Sequence, residues 1–156
     1  MSAPFVVRAE TADAMQSLGE RLGRALGVGD VVSLVGPLGA GKTTFVQGLA
    51  RGVGVPPERH VASPTFALVN EHPGRVPLVH ADLYRVARPA ELLELGLDDA
   101  FDRAAVAIEW LDRFPDAAPA DRLELVIAIE ADGARLLTLV GAGPRGEALA
   151  RALGAP

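Results

Sequence analysis

Short apolar runs separated by turn-forming residues are the most regular pattern along the chain. Residues 31–35 form a continuous run rich in valine, which is typical of a strand buried on both faces of a parallel sheet. Two turn signals, at 72–75 (His-Pro-Gly-Arg) and 131–134 (Ala-Asp-Gly-Ala), each lie between two apolar runs and predict antiparallel hairpins. The predicted strands are 5–8, 31–35, 66–71, 76–81, 104–109, 122–130 and 135–140.

Helical periodicity alternates with these strands. After Thr11, whose hydroxyl suits a helix N-cap, Met15, Leu18, Leu22 and Leu26 recur on one face. Proline near the first position favours further helical starts at 89 and 144. The predicted helices are 11–26, 43–53, 89–95, 97–103 and 144–153. Strands alternating with helices predict an α/β fold. Its sheet is expected to be mixed but mainly parallel, with helices on its flanks and an antiparallel hairpin that extends it.

Composition narrows the class of protein. The 156 residues suit a single domain over 1–156, and 49% hydrophobic with 4% aromatic residues predicts an aliphatic core. The absence of cysteine excludes disulfides and thiolate metal sites, and no apolar run reaches the length of a membrane span, so we expect a cytoplasmic protein. A net charge of -5 argues against direct binding of nucleic acid, so any contact with RNA is expected to be indirect.

A glycine-rich segment directly follows the buried run 31–35. Residues 36–43 read Gly-Pro-Leu-Gly-Ala-Gly-Lys-Thr, a P-loop pattern in which backbone N–H groups surround phosphate oxygens. Lys42 would contact the β- and γ-phosphates, and Thr43 would offer its hydroxyl to Mg²⁺. Lys42 is also the only lysine, since the other basic residues are all arginine. The strand before the segment and the helix after it favour ATP and Mg²⁺ binding on a P-loop NTPase-like three-layer sandwich.

Acidic residues end two of the predicted strands. Asp82 follows the run 76–81, and Glu109 ends the run 104–109. P-loop proteins need such a carboxylate at a neighbouring strand end, to hold Mg²⁺ and to orient the attacking water. We therefore predict Lys42, Asp82 and Glu109 as catalytic residues, with Thr43 and Glu109 on the metal.

Several other residues fit more than one role. Thr65 lies in a loop that could sense the γ-phosphate or form a simple turn before a strand. Arg85 and Arg88 could neutralise charge on the transferred phosphoryl group, although surface ion pairs explain them as well. His80 could support the site beside Asp82, and Trp110 could stack on a base, contact a partner or pack in the core.

Four motifs in order make the chain closely resemble one family, the bacterial TsaE proteins. They are 36–44 with the glycine loop, 63–66 (Ser-Pro-Thr-Phe), 80–85 (His-Ala-Asp-Leu-Tyr-Arg) and 108–110 (Ile-Glu-Trp). The resemblance covers almost the whole length. It implies an ATPase of tRNA threonylcarbamoyladenosine (t6A) biosynthesis, which acts with the proteins TsaD and TsaB and meets tRNA only through their complex.

The resemblance also implies roles for residues at matching positions. Asp82 would be a second acidic catalytic residue, Thr65 would lie in a nucleotide-responsive loop, and Thr11 would lie near the adenine. The expected nucleotide-binding residues are Thr11, Gly36, Gly39, Ala40, Gly41, Lys42, Thr43, Thr44 and Thr65. Pro37 departs from the family, which usually has an acidic residue there, so hydrolysis or its stimulation could differ in this chain.

Three alternative functions can be weighed on the residues alone. A small-molecule P-loop kinase would share the glycine loop but needs an arginine-bearing lid, which the sequence between 103 and 144 does not suggest. A GTPase would need an Asn-Lys-x-Asp element, which a chain with one lysine in its glycine loop cannot contain. A protein that binds nucleotide without turnover is the third possibility, and Pro37 makes it more plausible.

Overall fold

The computed structural model describes residues 4–64 and 68–155, and all of its strands belong to one seven-stranded sheet. The spatial order is β1-β7-β6-β2-β5-β4-β3. The strands are β1 (Phe5–Ala9), β2 (Val31–Val35), β3 (Val69–His72), β4 (Leu78–Asp82), β5 (Ala105–Glu109), β6 (Arg122–Ile129) and β7 (Arg135–Ala142).

The sheet is mixed, as predicted, with its parallel part in the centre. Strands β6, β2, β5 and β4 run parallel, and β2 pairs with both β5 and β6. The antiparallel pairs β3–β4, β6–β7 and β1–β7 extend the two edges. Both predicted hairpins are confirmed, although β3 begins at Val69, and Phe66 lies outside the described residues.

The helices also follow the predicted order, within one or two residues at each end. They are α1 (Ala12–Ala25), α2 (Lys42–Gly52), α3 (Leu97–Arg103) and α4 (Gly143–Gly154). Thr11 is the N-cap of α1, as predicted, and its Oγ1 accepts a hydrogen bond of 3.0 Å from the Ala14 N–H. Residues 89–95 form a 3₁₀-helix between Pro89 and Gly96. Within the described residues, no helix is long and apolar enough to cross a membrane.

Apolar side chains cover the two faces of the sheet unequally. On one face, α1, α2 and α4 bury the larger core against six of the strands, with Leu34 of β2 and Leu125 of β6 completely inaccessible. On the other face, α3 and the 3₁₀ segments pack a smaller core against β2, β4 and β5, in which Ile108 is fully buried. The expected three-layer sandwich is thus confirmed, and β2, directly before the glycine loop, lies between the two outer layers and contributes to both cores.

Helices α1 and α2 pack with their backbones in direct proximity. Gly19 and Gly23 of α1 face Gly48 and Gly52 of α2, and a Cβ added at Gly48 would lie 2.2 Å from the carbonyl oxygen of Gln16. Real Cβ atoms essentially never approach an oxygen so closely. Because α2 begins at the glycine loop, this close packing fixes the first turn of α2 relative to the N-terminus of α1.

Substituting Gly48→Ala should therefore destabilise the fold, because the two backbones must separate to admit one methyl group. We expect the free energy of unfolding to fall by about 1–3 kcal/mol, measured by chemical denaturation. Gly27→Ala is the matched control, since the nearest atom to its added Cβ is 3.8 Å away. Equal stability of the two variants would contradict the close packing.

Candidate active site

The glycine loop, residues 36–43, runs from the end of β2 to the first turn of α2. Gly39 (φ 80°) and Gly41 (φ 102°) have left-handed backbones that favour glycine. A Cβ at Gly41 would also lie 3.2 Å from Cε of Met15. Gly36 instead allows close packing, because a Cβ there would lie 2.9 Å from the carbonyl oxygen of Ile127 in β6.

The loop presents several backbone N–H groups that have no acceptor among the described residues. In the loop and the first turn of α2 they include the N–H groups of Gly39, Gly41, Lys42, Thr43 and Thr44, whereas the neighbouring Ala40 N–H donates to Pro37 and the Phe45 N–H to Gly41. The first N–H groups of a helix always lack an intrahelical partner, and they carry the positive end of the helix dipole. Convergent donors of this kind are suited to an anion such as phosphate.

The ammonium group of Lys42 lies beside this array of donors. Its Nζ donates to the carbonyl oxygen of Gly36 at 2.7 Å and lies 3.8 Å from the centre of the Trp110 ring. The residue is only 5% exposed. Burial lowers the pKa of Lys42, while the negative charges of Glu109, Asp82 and Asp112 oppose that shift.

Two carboxylates lie next to each other at the carboxyl ends of β4 and β5. Asp82 and Glu109 each end a strand, as the sequence led us to expect, and the two are register partners in this parallel pair. Together with Lys42, Thr43 and Thr44 they line a cavity of about 440 Å³. Cation, hydroxyl and carboxylates thus surround one volume, which is where the ends of parallel strands place ligands in open α/β sheets.

Each carboxylate has a partner that orients it. Asp82 accepts hydrogen bonds from the Tyr84 N–H (2.9 Å) and from the Ser63 hydroxyl (3.1 Å). Glu109 is 3% exposed, and its Oε2 lies 2.6 Å from Nε2 of His80, which is fully buried on β4. Because an ionised carboxylate only accepts hydrogen bonds, His80 donates from Nε2 when Glu109 is ionised.

Trp110 follows Glu109 with an uncommon backbone conformation. Its φ of 66° is left-handed, a conformation that costs about 1 kcal/mol or more in a residue other than glycine. This conformation places its ring over the Lys42 ammonium and 5.2 Å from the ring of Tyr84. Trp110 therefore lines the cavity and also packs against the smaller core, as one of the alternatives left open for it expected.

A second cavity of about 220 Å³ lies on the other side of the glycine loop. Thr11 and Met15 at the start of α1, Thr44 in α2, and Gly133 and Arg135 of the β6–β7 hairpin contribute to its lining, together with Gly39, Ala40 and Gly41. The loop thus separates two cavities, and Gly39, Gly41 and Thr44 line both.

The remaining predicted residues have varied positions. Arg85 lines the cavity of the two carboxylates, whereas Arg88 is highly exposed and lies 3.7 Å from Glu91 as an ion pair. Thr65 lies outside the described residues. The sequence reasoning missed Arg135, because only the pairing of β7 with β6 brings this residue to the glycine loop.

Comparison with known proteins identifies the family. The family model described as "Threonylcarbamoyl adenosine biosynthesis protein TsaE" matches residues 9–137, which is most of the chain. The chain belongs to the TsaE family. The resemblance found from the four motifs is thereby confirmed.

Individual members of the TsaE family are similar over most of their length. The Bacillus subtilis (strain 168) protein is 42% identical over 127 residues, which cover 80% of this chain and 78% of the relative. The Streptomyces coelicolor protein is 39% identical over 139 residues, covering 84% and 93%. Both are named tRNA threonylcarbamoyladenosine biosynthesis protein TsaE.

A solved structure shares the whole fold. The crystal structure of Bacillus subtilis YdiB superposes with a TM-score of 0.84 at 32% sequence identity, covering 98% of this chain and 95% of YdiB. The agreement extends across the mixed sheet and its flanking helices. The P-loop NTPase-like architecture predicted from the sequence is confirmed.

In this TsaE-family chain, the residues around the larger cavity could hold Mg²⁺ together with a triphosphate. No group of three or more His, Asp or Glu side chains suited to a metal ion lies within 4–64 and 68–155. Mg²⁺ bound to a nucleotide does not need one, since it retains waters and takes one or two carboxylates plus phosphate oxygens. Thr43, Asp82 and Glu109 supply that kind of donor set.

Proposed function

We propose that this protein binds ATP with Mg²⁺, hydrolyses it, and serves the formation of the threonylcarbamoyl group on N6 of adenosine in tRNA. The single observation that carries the proposal is the arrangement of the glycine loop. Five residues whose N–H groups have no described acceptor line one cavity together with two carboxylates at adjacent strand ends, and one of the five, Lys42, adds a buried ammonium. A t6A role is supported by the names that the related proteins carry.

The two cavities suggest how the nucleotide would lie. The triphosphate would follow the loop over Gly36, Gly39, Ala40 and Gly41 to Lys42, Thr43 and Thr44. The adenosine would take the smaller cavity beside Thr11, and the γ-phosphate would enter the larger one. We expect Thr65 to lie in a loop that responds to the γ-phosphate, as the family resemblance implies.

In this proposal the chain acts mainly by positioning and charge. Thr43 and Glu109 would hold Mg²⁺, which when bound neutralises charge on the phosphate oxygens. Lys42 would leave the carbonyl of Gly36 for the β- and γ-phosphates. Asp82, held by the Tyr84 N–H, would orient the attacking water and accept its proton.

Partners are proposed from the family and the surface. We infer that the protein works with TsaD and TsaB in the cytoplasm and meets tRNA only through their complex, because a net charge of -5 does not favour a direct grip on RNA. Leu38 and Tyr84 support a protein partner, since both line the larger cavity and are 65% and 48% exposed. Such a partner would cover the open side of the site.

The segment between α3 and α4 bears on the alternative that the protein is a small-molecule kinase. The chain between α3 and α4 forms β5, two single-turn 3₁₀ segments and the β6–β7 hairpin. In a kinase, a lid with arginines closes over the phosphates, whereas the described stretch here contains only these strands, the short 3₁₀ segments and their connections. No observation therefore favours phosphoryl transfer to a small molecule.

The test is steady-state release of phosphate from Mg·ATP by the protein alone and with cognate TsaD and TsaB. We expect slow hydrolysis alone, clear stimulation by the pair, and loss of both in Lys42→Ala, which removes the phosphate-binding charge.

Glu109→Gln should lower kcat by about a hundredfold or more with a smaller change in ATP affinity, because it removes charge at the metal. Arg151→Ala, at an exposed position of α4, is the control.

Either of two results would contradict the proposal. If Lys42→Ala hydrolyses ATP as fast as the parent, the activity does not arise at the glycine loop. If the parent binds Mg·ATP but shows no hydrolysis with TsaD and TsaB present, it is a binding protein without turnover. That is the alternative which Pro37 makes more plausible.

The hydrogen bond between His80 and Glu109 gives a separate prediction. His80→Leu should lower kcat and raise the Mg²⁺ concentration needed for half-maximal activity, each by about tenfold to a hundredfold, because the carboxylate loses the group that orients it. His80→Gln is the matched variant, since its amide keeps a donor near the position of Nε2. Equal losses in the two variants would show that His80 serves packing alone.

A further inference from the structure

Arg135 contacts the glycine loop from the side opposite Lys42. It is the first residue of β7, directly after the β6–β7 turn. Its Nε donates to the carbonyl oxygen of Ala40 at 2.9 Å, and its Nη2 donates to that of Gly39 at 3.1 Å. Its Nη1 donates to the carbonyl oxygen of Gly133 within the turn. One planar guanidinium thus joins the hairpin to two consecutive peptides of the loop.

The charge of Arg135 is not neutralised by an ion pair within the described residues. Its hydrogen-bond partners there are three carbonyl oxygens, whereas other arginines of the chain, such as Arg103 and Arg145, pair with carboxylates. A positive charge without a carboxylate beside the loop adds to the potential that favours an anion there.

We propose that Arg135 is a positioning residue for the phosphates, which fixes the orientation of the loop peptides. A peptide group is planar, so holding its carbonyl oxygen on one side turns its N–H to the other. Because Arg135 holds the carbonyl of Ala40, the N–H of Gly41 in the same peptide points away from the guanidinium, and it has no acceptor among the described residues. Arg135 also holds the carbonyl of Gly39, and the N–H of that peptide, which belongs to Ala40, donates to the carbonyl oxygen of Pro37 within the loop. The inference rests on the proposed function, since it takes a triphosphate as the ligand of the Gly41 N–H and of the neighbouring donors.

The hairpin that carries Arg135 is itself attached to the rest of the site. Arg8 of β1 forms ion pairs with Glu130 (2.8 Å) and with Asp132 in the same turn. Residues on both sides of that connection, Thr11 after β1 and Gly133 in the turn, line the smaller cavity. The turn therefore connects the lining of the cavity proposed for adenosine to the backbone of the phosphate loop.

The role proposed for Arg135 differs from that of a residue that recognises the base. A base contact would affect ATP and adenosine but leave a ligand without a base unchanged. A residue that holds the loop affects every ligand bound through its phosphates. Inorganic tripolyphosphate, which has the phosphates of ATP and no base, distinguishes the two roles.

The experiment measures equilibrium binding of ATP and of tripolyphosphate, both with Mg²⁺, to the parent, Arg135→Ala and Arg135→Lys. We expect Arg135→Ala to raise both dissociation constants by roughly tenfold, because hydrogen bonds from a charged donor are lost. Arg135→Lys keeps the charge but cannot bind both carbonyls in one plane, so most of the loss should remain. Arg122→Ala is the control, because Arg122 makes the same kind of contact, to the carbonyl of Pro119, at the far end of the hairpin.

Amide hydrogen exchange without nucleotide supplies a second readout. We expect faster exchange at Ala40 and Phe45 in Arg135→Ala than in the parent, since their N–H groups bond within the loop and its first helical turn. Unchanged exchange there, unchanged tripolyphosphate affinity, or full recovery of affinity in Arg135→Lys would overturn the assignment. A parent that binds neither ligand would instead refute the proposed function, and the exchange comparison would still decide the role of Arg135.

Discussion

The orientation of a few peptide groups between β2 and α2 is the constraint on which the rest of this structure depends. The N–H groups of Gly39 and Gly41 and those of the first turn of α2 have no acceptor among the described residues, while the carbonyl oxygens of Gly36, Gly39 and Ala40 are bound by Lys42 and Arg135. Backbone donors left without partners are costly unless water or a ligand reaches them. A loop of this kind therefore needs rigid supports on several sides, and the surrounding elements supply them.

Each support comes from a different part of the chain. Below the loop, β2 is buried between the two layers of helices. Behind it, the glycine contacts of α1 and α2 bring the two backbones together and set the start of α2. Beside it, the parallel register of β4 and β5 places Asp82 next to Glu109, while His80 holds Glu109 from within the sheet. Local backbone strain at Trp110 occurs beside these supports, whereas glycine at positions 39 and 41 adopts its left-handed conformation without strain.

The local pattern of the sequence was enough to predict much of this arrangement. Apolar runs and turn signals predicted the strands, and the Thr11 cap and the apolar face after it predicted α1. The apolar runs before Asp82 and Glu109 predicted that each carboxylate ends a strand, and the parallel register of β4 and β5 then places the two next to each other. These features depend on short stretches of chain or on a general rule for parallel sheets.

Features that depend on distant pairings could not be found in this way. The contact of Arg135 with the loop joins residues 95 and 96 positions apart and requires the β6–β7 pairing. The spacing of Gly19 with Gly23 and of Gly48 with Gly52 was a signal of close helix packing, but nothing local says which helices meet. His80 was noticed beside Asp82, whereas its hydrogen bond to Glu109 follows only from the register of β4 with β5.

Isothermal titration of the protein with ATP, with Mg²⁺ and with the metal chelated, tests the central claim most directly. The account predicts saturable binding of one ATP per chain that weakens without Mg²⁺ and is lost in Lys42→Ala while the fold is retained. Binding of equal strength in Lys42→Ala, or none in the parent, would contradict the claim that the loop peptides form a phosphate site.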